Sequence, residues 1–223
     1  HKVSAILTME DGVAVQGDMK KLDYFHSLGV RALSLTWNYE NCFGYPNSKD
    51  PEIMQKGLKD FGKDAVKHMQ EIGMLVDVSH LSDGGFYDVY KLSKVPFIAT
   101  HSNARALCNH SRNMTDDMIL KLHEKGGVMG INICPDFLDD TPENKDSKIS
   151  RLCDMIEHEK EIAGIEVCAI GTDIDGTHGN FEMKGPCDSN KLFDELIRRG
   201  FSTSDIEKIA YKNIIRVMNE AGI

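Results

Sequence analysis

The 223-residue chain is 41% apolar and 27% charged, with nineteen glycines and six prolines, the composition of a globular protein of one large domain or two small ones. Thirty-five acidic against 26 basic side chains give a net charge of −9, which excludes nucleic acid and anionic lipid as principal partners, because both favour a basic face. No apolar run approaches the ~18 residues of a membrane span, and His1-Lys2-Val3-Ser4 opens no signal peptide, so a cytoplasmic protein is expected.

Taken in chain order, short runs rich in Val, Ile and Leu alternate with amphipathic stretches at helical spacing. The strand-like runs are residues 3–9, 31–36, 74–78, 96–100, 128–133 and 167–171. Between the second and third, Leu58, Phe61, Ala65, Met69 and Ile72 recur every three or four residues. Thr115 is placed to cap a helix bearing Met118, Ile119 and Leu122, with Gly126 as its stop. Ile149, Leu152 and Ile156 mark a further helix. Near the end, Ser204-Asp205-Ile206-Glu207 reads as a capping box, and Ile209, Ala210, Ile214 and Val217 continue that apolar face. The runs are too uniformly apolar for a sheet with one wet side, so a parallel sheet covered by helices is expected.

Six βα units are legible, whereas a closed (β/α)₈ TIM barrel has eight in about 250 residues. A barrel lacking its first two units is therefore expected, and the absent initiator Met places that gap upstream. An open doubly wound sheet is the alternative, but no G-x-G-x-x-G follows the first run. No linker or repeat divides the chain, so residues 1–223 read as a single domain. The six cysteines form no C-x-x-C pair and read as reduced, mostly buried thiols. Asn109-His110-Ser111 and Asn113-Met114-Thr115 match the glycosylation sequon by chance.

The polar residues at the ends of the runs carry the chemistry. The first run ends in Glu10, the third leads through Ser79 to His80, the fourth ends in His101, and the sixth leads through Thr172 to Asp173. In a barrel such strand ends converge on one mouth, where active sites are built. Two imidazoles and two carboxylates suit Zn²⁺ or a similar divalent ion, and a carboxylate can bridge two metals. His26, His68, His123 and His158 fall in helical segments and read as solvated or boundary residues, while His110 and His178 are loop residues without assignment. Asp173-Ile174-Asp175-Gly176 is no EF-hand, because Thr177 and Lys184 stand where acidic ligands would be needed. There is no G-x-S-x-G elbow, P-loop or H-E-x-x-H helix. Arg112, in Ser111-Arg112-Asn113, could clamp a carboxylate or simply be solvated.

The pattern resembles the renal (membrane) dipeptidase family. The resemblance is carried by Gly29-Val30-Arg31 with Leu35-Thr36, Gly57-Leu58 with Phe61-Gly62, and Gly73-Met74-Leu75-Val76-Asp77-Val78-Ser79-His80. It continues through Thr100-His101-Ser102, Ser111-Arg112-Asn113 with Asp116-Asp117, Gly171-Thr172-Asp173-Ile174-Asp175-Gly176, Arg198-Arg199-Gly200-Phe201 and Asn213-Ile214-Ile215-Arg216-Val217.

The resemblance implies a zinc-dependent barrel hydrolase of dipeptides. Glu10 would bridge two zinc ions, with His80 and His101 on one of them. Asp173 would ligate the other ion and assist proton transfer, and Arg112 would hold the dipeptide carboxylate. Homodimers occur in the family. Two departures stand out: no His-x-Asp pair of the family's first strand is present, and Trp37 stands where many relatives have a carbonyl-polarising histidine. With Glu10 matching the family's third strand, one ion held by Glu10, His80 and His101 is expected for these residues. The alternatives are another amidohydrolase-like metal hydrolase and a non-catalytic peptide-binding relative or fragment.

Overall fold

A computed structural model describes residues 5–141 and 143–223; His1 and the first two residues of the run 3–9 lie outside the described residues. The chain divides into two compact units, one running to Ile98 and resumed at Val217–Ile223, the other Ala99–Arg216.

In the first unit the order is β1 (Leu7–Met9), α1 (Met19–Ser27), β2 (Val30–Ser34), α2 (Pro51–Met54), α3 (Asp60–Glu71), β3 (Leu75–Asp77) and α4 (Asp83–Leu92), followed by Ile98 of β4 (Ile98–Ala99). The strands pair in parallel, with Thr8 opposite Ala32, Leu33 opposite Val76, and Asp77 opposite Ile98. β2 and β3 bury nearly every side chain, the signature of a parallel sheet covered on both faces. The helices begin where short polar side chains satisfy their first N–H groups. Asp18 accepts from Lys20 N, Asp50 from Glu52 N ahead of Pro51, and Ser82 from Gly85 N. α3 turns Ala65, Val66 and Met69 into the core, where Phe86 stacks edge-on with Phe97 at 5.6 Å.

The second unit holds α5 (Asp116–Glu124), β5 (Val128–Ile131), β6 (Asp146–Ser147), α6 (Ile149–Ala163), β7 (Cys168–Ile170), β8 (Asn180–Phe181), α7 (Ser189–Arg198), α8 (Thr203–Glu207), and a π-helical turn, Lys208–Lys212, leading into α9 (Asn213–Glu220). β5 and β7 run parallel, Met129 opposite Cys168, and β6 and β8 form a separate parallel pair. Thr115 caps α5 by accepting from Met118 N, and Gly126 follows at φ 73°, both as expected. The Asn213 side chain ties the π turn to β7 by donating to the carbonyls of Ile165 (2.7 Å) and Cys168 (2.9 Å).

All six strand-like runs contain a strand, and the chain is an α/β protein built on parallel β-structure. His26, His68, His123 and His158 are all helical; His68 pairs with Asp23 and His158 with Asp116. Two expectations are corrected. The capping box is Ser202 with Asp205, not the one beginning at Ser204, so α8 starts two residues earlier than its sequence pattern indicates. The thiols are free but only Cys108, Cys153 and Cys168 are buried, and Cys187 is exposed. Asn113 is spent inside the fold, donating to the carbonyls of Cys108 and Phe137. Among the described residues, no helix is long and apolar enough to cross a membrane.

Two features of the second unit give measurable consequences. A Cβ placed on Gly171 would collide with the Thr100 carbonyl oxygen, and one on Gly130 would do the same. The Thr100 backbone and these two glycines therefore require each other. Gly171→Ala should cost about 1–3 kcal/mol in denaturant unfolding, the scale of an overpacked interior.

Glu159 of α6 is wholly buried, and no N–H or O–H donor among the described residues reaches its carboxyl oxygens. Burial pushes its pKa well above the ordinary 4.5, with the Cys168 thiol opposing weakly. A raised carboxyl stabilises the fold fully below the ordinary carboxylate range, and that contribution is lost as pH rises through the raised value. Glu159→Gln should therefore gain stability over the parent as pH is raised from about 5 to about 8, read as the difference between their unfolding midpoints.

Candidate functional site

In the first unit Glu10 directly follows β1, and its neighbour Asp11 takes a left-handed backbone, φ 71°. The Asp11 carboxylate fixes this turn by accepting from Val13 N (3.0 Å) and from Asn41 Nδ2 (2.9 Å). Asn41 also donates to the Leu35 carbonyl at 2.8 Å, so its amide is occupied in holding the loop.

His80 lies three residues beyond β3 and is itself left-handed at φ 69°, an uncommon backbone for a residue other than glycine. The turn is prepared by buried Asp77, whose carboxylate accepts from the Ser34 hydroxyl and from Ser79 N (2.9 Å). The His80 carbonyl accepts from Asn47 N (2.7 Å), Asn47 Nδ2 (3.3 Å) and Thr36 Oγ1 (3.2 Å). The result is a buried imidazole with a fixed direction. Its Nε2 lies 3.2 Å from Glu10 Oε1, and its Nδ1 lies 3.3 Å from Asn38 Oδ1. A carbonyl oxygen facing Nδ1 is the kind of support that, in metal-binding histidines, leaves Nε2 to ligate.

In the second unit His101 follows β4, is buried, and has its Nδ1 2.7 Å from the Thr100 hydroxyl. Its carbonyl accepts from Arg112 Nη2 at 3.2 Å. Arg112 is buried too, in the turn before α5, with its guanidinium 5.4 Å from the centre of the Phe137 ring. His110 packs against the same ring at 4.7 Å, and its Nδ1 accepts from Arg112 N. Asp173 lies three residues beyond β7 in a left-handed backbone, φ 57°, with Oδ2 accepting from Asn132 Nδ2 at 3.3 Å. His178 is exposed.

Each residue singled out by sequence at a strand end is thus at the carboxyl end of a parallel strand. Within one unit the structure joins Glu10 to His80, and within the other it joins Arg112 to His101. Three asparagines support them, of which sequence reasoning passed over Asn103 and Asn132 and weighed Asn38 only as a possible donor to substrate. Asn38 faces His80, while Asn103 and Asn132, both fully buried, exchange hydrogen bonds and Asn132 reaches Asp173. Chain order separates Asn103 from Asn132 by 29 residues, so no local pattern signals the pair. Chemically, a carboxylate and two imidazoles make a donor set for a borderline divalent cation, and a buried guanidinium is suited to a carboxylate.

The sequence matches the family described as membrane dipeptidase (peptidase family M19) over residues 1–222. It is 31% identical to an uncharacterized protein from the pqqA 5′ region of Klebsiella pneumoniae, covering 97% of this chain and 82% of that one. It is likewise 31% identical to a dipeptidase of Aspergillus oryzae, over 98% of this chain and 52% of the relative. Among solved structures, a metallopeptidase from Rhodobacter sphaeroides bound to a phosphinate mimic of the dipeptide L-Ala-D-Ala superimposes with a TM-score of 0.88 at 26% identity. That superposition covers 97% of this chain and 63% of the other. The chain spans about half the length of most of the curated relatives it matches. With its markers in order along the whole sequence and the fold of a solved metallopeptidase, the chain belongs to the membrane dipeptidase family.

Proposed function

We propose that this protein is a metal-dependent dipeptidase in which Glu10, His80 and His101 hold a divalent ion of the zinc class. The observation that carries the reading is the Glu10–His80 pair at the ends of two parallel strands, in a chain of this family. The three side chains supply a carboxylate and two imidazoles, the donor types that a zinc-class ion takes. They fit such an ion by chemistry, since their hardness and charge suit zinc and each imidazole has its Nδ1 engaged elsewhere. When bound, the ion supplies an acidified water near neutral pH and polarises the peptide carbonyl.

The remaining steps fall to the chain's own residues. Arg112 binds the free carboxylate of the dipeptide through its guanidinium, which Phe137 and the His101 carbonyl hold in place. Asp173 takes the proton released as water adds to the carbonyl carbon, and returns it to the leaving amine as the C–N bond breaks. Asn132 holds one oxygen of that carboxylate and so fixes the direction of the transfer. Asp173 also stands as a ligand for a second ion, as the family resemblance implies. The L-Ala-D-Ala mimic bound by the Rhodobacter sphaeroides relative supports a small dipeptide as substrate.

Three experiments test this. Purified protein should hydrolyse small dipeptides, lose turnover on chelation, and recover it with zinc. His80→Ala should lower the bound zinc measured by elemental analysis. Absence of metal-dependent turnover on a dipeptide panel overturns the reading. Arg112→Lys should lower kcat/KM by about 10- to 100-fold for dipeptides with a free carboxylate, the scale of a lost charge-assisted hydrogen bond, with a smaller effect on their C-terminal amides.

A further inference from the structure

The loop after β2 carries an aromatic pair whose exposure the fold itself does not explain. Trp37 is 40% and Tyr39 72% exposed, while Phe43, Phe86 and Phe97 of the same unit are fully buried. Leaving an indole that wet forgoes much of what a large apolar side chain gains by burial. The two rings meet edge-on at 6.2 Å, and the Trp37 ring is tilted against the His80 imidazole at 6.4 Å. Their position is fixed by the site itself. Thr36 and Asn38, on either side of Trp37, bind the carbonyl and the ring of His80. The rings therefore move with His80 and form a pre-set face beside it.

We propose that Trp37 and Tyr39 are a side-chain platform that makes the enzyme selective for dipeptides with an aromatic or bulky apolar N-terminal residue. The proposal rests on the dipeptidase reading. The position follows from chemistry: the carbonyl to be cleaved belongs to the N-terminal residue and must face the ion held by His80, so that residue's side chain lies nearest to the rings. A small side chain leaves both rings in water, whereas an aromatic or branched one covers them. The local charge favours an apolar occupant over a cationic one, because the adjacent acid, Glu40, is paired with Lys59 at 3.5 Å.

The chain contains a single tryptophan, so its indole emission reports on Trp37 alone. Protein held in chelator, where no turnover occurs, is titrated with phenylalanyl-glycine, alanyl-glycine and glycyl-phenylalanine. Phenylalanyl-glycine should shift the emission to the blue and saturate, binding about five- to tenfold more tightly than either of the others, the scale of one aromatic contact. Tyr39→Ala, a change at a largely exposed side chain, should erase most of that preference while leaving the unfolding midpoint in place. With zinc restored, the kcat/KM ratio of phenylalanyl-glycine to alanyl-glycine should fall by the same factor in Tyr39→Ala and in Trp37→Ala. An emission that responds equally to all three dipeptides, or a ratio unchanged in both variants, overturns the platform. Failure to hydrolyse any dipeptide, alongside a selective emission change, overturns the dipeptidase reading and leaves the binding face standing.

Discussion

The left-handed backbone of His80 is the constraint on which the first unit's chemistry depends. A residue with a Cβ pays about 1 kcal/mol or more for that conformation, so it persists only where its surroundings determine it. Here they do so from both sides. Asp77 receives the Ser34 hydroxyl and Ser79 N ahead of the turn, and three donors from Thr36 and Asn47 converge on the His80 carbonyl after it. A right-handed residue at this position would send the imidazole elsewhere and separate it from Glu10. The strain is small, and it fixes the direction of one ring.

The second unit solves the same problem with different means. Asp173 is also left-handed, and its direction is set by a side-chain amide, not by a web of bonds to its carbonyl. Asn132 can serve because Asn103 fixes it: each gives the other one hydrogen bond, and the side-chain oxygen of Asn132 accepts from Cys134 N. Fully buried amides are tolerable only when satisfied in this way, which makes the pair rigid. Backbone approach matters equally. Because neither Gly130 nor Gly171 has a Cβ, the Thr100 carbonyl can lie against both, and His101 follows one residue later.

The strands were legible because each is a run of buried apolar residues, and a parallel sheet makes no other demand on composition. Their ends were less so: the run 128–133 is apolar or buried throughout, yet the ladder stops at Ile131, where Asn132 begins its side-chain work. β6 and β8 were invisible, since Asp146, Ser147, Asn180 and Phe181 carry no strand pattern. The cap of α8 was misread because Ser202 and Ser204 both stand three residues before an acid. Buried Phe201 precedes the first of them, and an apolar residue ahead of the cap is the feature that favours it. At the site, the metal-competent side chains were readable from the strand ends, whereas the Asn38–His80 contact and the Asn103–Asn132 pair became visible only through long-range geometry.

Trp37 changes how the work of the site is divided. Set against the carbonyl-polarising histidine that the family resemblance implies at this position, an indole offers one neutral N–H and a broad apolar face. Such a face holds a side chain that does not change during the reaction. In the proposed dipeptidase it would stabilise bound substrate and transition state alike, lowering KM and raising kcat/KM without raising kcat. In the proposed dipeptidase, stabilisation specific to the transition state would rest on groups whose interaction strengthens as charge develops, and the loop after β2 would select the dipeptide. The exposure of Trp37 and Tyr39 is the cost of that choice, since two rings buried for stability would have no face left to offer.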